Sequence, residues 1–174
     1  MVAGPDTGFL RRARFQDLID ALRAAGYRCL LPAARDGAVV FAEAQTPDHL
    51  PCGVIDRQAP GQYRLEAGPA QRWFAWSNGP QALKPLVFPA QETLWTARRD
   101  DEGLVFAAVP VDAPPTAVIG VRACDLAALR LQEQHFGAGA DAGFAARRAG
   151  LLLVGVACSE PATTCFCAST GDGP

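Results

Sequence analysis

The chain is 174 residues long, 49% hydrophobic and 20% charged, with a formal net charge of −2. Those values fit a globular protein with room for a substantial core; they exclude a disordered chain, and the charge gives no general attraction to a phosphate polymer. No apolar run is long enough to cross a bilayer, and residues 1–14 hold none of the secretory-signal type ahead of Arg11, Arg12 and Arg14, so a cytoplasmic protein without a membrane span is expected. Thiols stay reduced there, and clustered cysteines bind metal or carry redox chemistry more often than they pair.

Residues 9–25 read as an amphipathic helix, with Phe15, Leu18, Ile19 and Leu22 on one face and Gly26 placed to cap the C-terminus. Arg11, Arg12, Arg14 and Arg23 are interleaved with that face and balanced by Asp17 and Asp20, which reads as a solvated helix surface and not as a nucleic-acid site. Strands follow at 27–31 and 38–44, joined as a hairpin through Asp36-Gly37. Residues 46–61 hold Pro47, Pro51, Gly53, Pro60 and Gly61 and read as loop. Strands are expected at 62–66 and 72–76, an irregular or broken helix at 84–91, and a second hairpin from 93–99 and 104–110 through Asp100-Asp-Glu-Gly103. There is no internal repeat and no low-complexity tract.

The pattern changes after Ala113-Pro-Pro115. Residues 116–121 form a continuous apolar run of the kind seen in strands buried on both faces. Asp125 is placed to cap a helix that carries Leu126, Leu129 and Leu131 and ends near Phe136-Gly137; a second short helix at 141–149 and a second buried strand at 151–157 complete a right-handed βαβ unit. The expected fold is therefore α/β in two or three layers, one domain over 1–174: a helix and hairpin-rich part over 9–112, then the βαβ unit over 113–174 with its cysteine-rich end.

In such a unit the carboxyl ends of the parallel strands gather ligands, and there the sequence places Cys124 and Cys158, with Cys165 and Cys167 one short loop away. Cys124 falls at a helix N-terminus, whose free N–H groups and dipole favour a thiolate. Zinc sites usually present C-x2-C knuckles; this chain has none, and its close pair is the C-x-C of Cys165 and Cys167. All-thiolate ligation from separate elements suits an iron–sulfur cluster, although the C-x2-C-x2-C-x3-C ferredoxin run is also absent. Zinc in a four-cysteine interaction domain stands as the alternative, and a flavin- or small-molecule-binding crevice beside Cys124 as a third. Cys29 reads as a core residue, and Cys52 as a loop residue outside the site. His49 and His135 belong to no catalytic motif, and neither G-x-G-x-x-G nor a P-loop is present. Arg122 is placed to pair with an anionic cluster or with Asp125.

Two blocks, Gly120-Val-Arg-Ala-Cys-Asp-Leu-Ala-Ala-Leu129 and Cys158-Ser-Glu-Pro-Ala-Thr-Thr-Cys-Phe-Cys167, carry a family resemblance, with weaker support from Pro60-Gly-Gln-Tyr-Arg64 and Lys84-Pro-Leu-Val-Phe-Pro89. In these the chain resembles the β subunit of sulfhydrogenase-type nickel–iron hydrogenases and the A subunit of anaerobic sulfite reductase. The resemblance implies a 4Fe-4S cluster held by Cys124, Cys158, Cys165 and Cys167. It implies an electron-transfer subunit working between a flavin-containing partner and a catalytic hydrogenase or reductase subunit, a component of an oxidoreductase complex. Proteins of that kind continue into a ferredoxin-like region with two further clusters, so the sequence is expected to be an N-terminal fragment.

Overall fold

The computed structural model describes residues 8–79, 82–101, 103–136, 139 and 141–173. It is an α/β protein built on one four-stranded sheet, with two separate hairpins and with helices against both faces of the sheet.

The first helix, α1 (Phe15–Ala24), starts later than its amphipathic pattern suggests: residues 12–14 make a 3₁₀ turn, and α-geometry begins only where Phe15 and Ile19 meet the sheet. Arg12 is exposed, as a solvated face requires, yet its side chain also makes specific contacts. Its guanidinium lies 4.2 Å from the ring centroid of Trp73, and its Nη1 donates to the Gln71 carbonyl at 2.5 Å. Strands β1 (Arg28–Arg35) and β2 (Ala38–Glu43) form the expected hairpin, whose turn residues Asp36 and Gly37 have φ of 49° and 77°. Two consecutive positive φ values define the turn type that Asp-Gly favours, because its twist matches that of the strands.

Residues 46–61 depart from the expected loop. Val54–Ala59 is a strand, β3, paired from Val54↔Ala67 to Ala59↔Gln62 with β4 (Gln62–Ala67). Pro60 and Gly61, read as breakers, are the two turn residues of this hairpin, with Gly61 at φ 70°. Residues 72–76 are the converse case, an expected strand that pairs with none. They run as an irregular strap with Phe74 at φ 56°, and Ala75 and Trp76 are buried. The carbonyls a neighbouring strand would have satisfied are taken by the Arg122 side chain, as described below. The proline-interrupted stretch holds only a four-residue helix, α2 (Lys84–Val87). A third hairpin, β5 (Trp95–Asp100) with β6 (Gly103–Ala108), stands away from the core with nearly every residue exposed. Of the expected connection Asp100-Asp-Glu-Gly103, Glu102 lies outside the described residues.

Strand β7 (Thr116–Val121) is fully buried and pairs in parallel with both β1 and β8 (Leu151–Gly155), giving the order β2-β1-β7-β8. Helices α3 (Ala123–Phe136) and α4 (Ala142–Ala149) connect β7 to β8. β8 ends at Gly155, two residues short of the expected boundary, and the expected N-cap Asp125 lies inside α3. The sheet alternates as pleating requires: Cys29, Leu31, Ala117 and Ile119 face α1, whereas Leu30 and Val118 face α2, α3 and α4 through Val87, Leu129 and Phe144. Each fully buried aliphatic side chain in these two clusters contributes about 1.5–3 kcal/mol.

Two residues shape the end of β7. Pro32 in β1 has no N–H to donate, and the β1–β7 ladder stops at Leu30↔Val118. Opposite it, Gly120 adopts φ 101°, and the β7–β8 register shifts between Ile119 and Val121. The shift turns Val121 onto the same face as Val118, and the chain leaves the sheet towards α3 from there.

Candidate metal centre

The chain enters α3 through Arg122, whose carbonyl accepts from the Leu126 N–H at 3.1 Å and whose own N–H donates to Asp125 Oδ2 at 2.8 Å. Asp125 therefore supplies the returning half of a capping box from the third helical position, and an acid so near the start reads in sequence like the cap itself. Asn78, on the strap, donates from Nδ2 to the same Oδ2 at 2.6 Å and to the Gly120 carbonyl at 3.3 Å. Burial raises the pKa of Asp125 against the lowering effects of these two hydrogen bonds and the Arg122 charge.

Cys124 directly precedes Asp125, at the second residue of α3. The helix N-terminus was expected to favour its thiolate. The pKa is instead raised: loss of solvent dominates, the Asp125 charge adds to it, and the backbone N–H groups of Asp125 and Cys124 oppose them only in part.

The other three thiols sit on the segment after β8. Cys158 Sγ faces the Glu160 carbonyl at 3.7 Å, Cys165 Sγ accepts from the Ala162 N–H at 3.2 Å, and Cys167 opens a single helical turn, α5 (Cys167–Thr170), closed by Gly171 at φ 71°. Three sets of contacts hold this segment. Arg72 from the strap bonds Glu160 and, at 3.1 Å, Ser159 Oγ. Thr163 donates to the Gln58 carbonyl at the end of β3, and Thr164 to Gln58 Oε1 at 3.0 Å. Arg130 of α3 lies 3.6 Å from Asp172. The β3–β4 hairpin and the strap thus brace the thiol-bearing loop; sequence reading missed Gln58, Arg72 and Asn78, whose identities carry no motif.

Cys124, Cys158, Cys165 and Cys167 all line one cavity of about 140 Å³, together with Ser77, Asn78, Arg122 and Pro161. Its lining is mainly apolar apart from those groups, whereas Cys124 and Cys165 are exposed and Cys158 and Cys167 half-buried. Among the described residues, no group of three or more His, Cys, Asp or Glu is arranged to hold a single metal ion. All six cysteines are free thiols. Cys29 lies buried against α1, and its Sγ points to the Ile19 carbonyl at 3.8 Å. Cys52 is exposed, 3.5 Å from Arg12 Nη2, and does not line the cavity.

Arg122 does not form the expected ion pair with Asp125. It is 3% exposed, and its Nη2 donates to the Phe74 carbonyl at 2.6 Å and to the Trp76 carbonyl. That side chain is what pins the strap beneath the cavity. No helix among the described residues is long and apolar enough to cross a membrane. Compared with protein-family models, with characterised proteins and with solved structures, the chain matches none of them.

Proposed function

We propose that this chain is the α/β portion of an iron–sulfur electron-transfer subunit, acting in the cytoplasm between a flavin-containing partner and a catalytic hydrogenase- or sulfite-reductase-type subunit. The observation that carries the reading is the set of four cysteines, from the start of α3 and the segment after β8, on the walls of one cavity. A single zinc ion binds thiolates at about 2.3 Å and draws all of its ligands onto one point. Thiols spread around a void instead favour a polynuclear group that fills the centre, and the all-sulfur donor set suits iron.

Cys124, Cys158, Cys165 and Cys167 would hold a 4Fe-4S cluster, which supplies one-electron storage when bound. The chain's own residues do the remainder. Asp125 and Asn78 fix the first turn of α3 and with it the Cys124 side chain; Gln58 and Arg72 hold the loop of Cys158 and Cys165. Because the Cys124 pKa is raised, binding must expel its proton, and uptake of the group releases acid. Phe166, 72% exposed between two of the thiols, offers an apolar contact at the point where a partner subunit would approach.

Anaerobic reconstitution with ferrous iron and sulfide tests the reading. Wild-type protein should turn brown and hold about four iron atoms per chain, the complement of one such cluster. Replacing Cys165 and Cys167 by Ser should bleach it. Colourless protein with one tightly held zinc, indifferent to oxygen, would replace the reading with a zinc-stabilised interaction domain.

A further inference from the structure

Arg122 raises an energetic question that its structural role does not answer. Two carbonyls need two donors, and Nη2 alone serves both. Nε and Nη1 are buried and have no hydrogen-bond partner. No carboxylate forms an ion pair with it among the described residues; the Asp125 charge offsets part of its cost from a distance, but its Oδ2 is bonded to the Arg122 amide and Asn78 and not to Nε or Nη1. A neutral Gln or a smaller donor would have tied the strap without the cost of a cation out of water. A buried guanidinium left this way is expensive unless an anion lies close by in the same low-dielectric region. The residue lines the cavity of the four cysteines, and an iron–sulfur core ligated by four thiolates is net negative.

We propose that Arg122 is the buried counter-charge of the cysteine cavity. It selects for a net-anionic group there and raises that group's reduction potential. The inference rests on the iron–sulfur reading above. On one-electron reduction by an external donor such as dithionite, the electron adds one negative charge to the group and no proton is needed. A fixed positive charge a short distance away stabilises that extra charge in a poorly screened interior. The same cation destabilises the empty cavity, so the protein without its cluster bears a cost that loading relieves.

The test compares Arg122→Gln with Arg122→Lys in anaerobically reconstituted protein. Both keep a donor for the Phe74 and Trp76 carbonyls and differ in charge, so a shared packing defect cancels between them. Potentiometric titration with dithionite, followed by electron paramagnetic resonance, should place the Gln variant at a more negative potential than the Lys variant and the wild type. Iron loss to a chelator should be about tenfold faster in the Gln variant than in the Lys variant. In thermal melts of the cluster-free proteins the order should reverse, with Gln at least as stable as Lys. Equal potentials and equal iron loss in the two variants would overturn the counter-charge role and leave the cluster reading standing. Wild-type protein that takes up no iron would overturn both.

Discussion

Replacing Gly120 by Ala should destabilise the protein more than its single methyl suggests. Gly120 sits at φ 101°, and a Cβ there would lie 2.9 Å from Pro32 Cγ and 3.0 Å from Phe74 Cε1. An L-residue forced into that backbone region costs about 1–3 kcal/mol, and overpacking against a buried proline and an aromatic ring about as much again. The smaller entropy of the unfolded Ala chain returns roughly 0.4–1 kcal/mol. The net loss is about 1–5.5 kcal/mol, which for a chain of this size lowers Tm by between about 2 and 22 °C. Gly155, one strand away, is the internal control: its added Cβ would meet only the Val121 carbonyl, at 3.7 Å, so Gly155→Ala should stay within about 0.5 kcal/mol of wild type. Urea unfolding followed by circular dichroism reads both variants. If Gly120→Ala and Gly155→Ala melt alike, the shift in register at the end of β7 is not under the steric control described here, and the placement of Arg122 and Cys124 loses its explanation.

Native alkylation should separate the thiols: Cys52, exposed, should react quickly with iodoacetamide, and Cys29, buried with its pKa raised chiefly by burial, should react only on unfolding, as mass spectrometry of timed quenches can show. Arg72→Ala should change global stability by less than about 1 kcal/mol, because its ion pair with Glu160 is well exposed, yet should speed proteolysis within 158–167 and loosen cluster retention. Burial raises the pKa of Tyr63, so its share of stability is intact below its ordinary value of 10.0 and is lost as pH climbs from there through the raised folded value. Tyr63→Phe should therefore flatten the fall in urea midpoint between pH 9 and pH 11, roughly the range in which a tyrosine titrates. Phe106→Ser, at a site 63% exposed on the projecting β5–β6 hairpin, should leave the midpoint within about 0.5 kcal/mol of wild type.

Where local pattern and tertiary context agree, the elements are legible from residues alone. The runs at 116–121 and 151–157 read as buried strands because both faces of each are apolar, and both hold strands, although β8 is only half-buried and ends at Gly155; Asp36-Gly37 names its own turn. The thiol loop was legible for a different reason: cysteines are scarce enough that their positions at strand ends carry weight. Legibility fails where a residue's usual meaning is reversed by its setting. Pro60 and Gly61 break regular structure in most contexts, but between two strands they make the turn, and β3 was missed with them. Residues 72–76 have strand composition, yet the Arg122 guanidinium does for their carbonyls what a neighbouring strand would have done. Asp125 looks like an N-cap because the capping box uses an acid three residues further in as well. The parallel pairing of β1 with β7, which joins the two halves of the chain into one sheet, spans 88 residues between Arg28 and Thr116 and leaves no local trace.

On the iron–sulfur reading proposed above, Cys124 and the three cysteines beyond β8 grip one inorganic centre. Anomalous diffraction at the iron edge, from crystals of anaerobically reconstituted protein, tests it most directly. A single strong peak inside the cavity bounded by Cys124, Cys158, Cys165 and Cys167, within bonding reach of all four sulfurs, is the expected result. A peak held by the later three with Cys124 turned away, or no iron in the cavity at all, would contradict it.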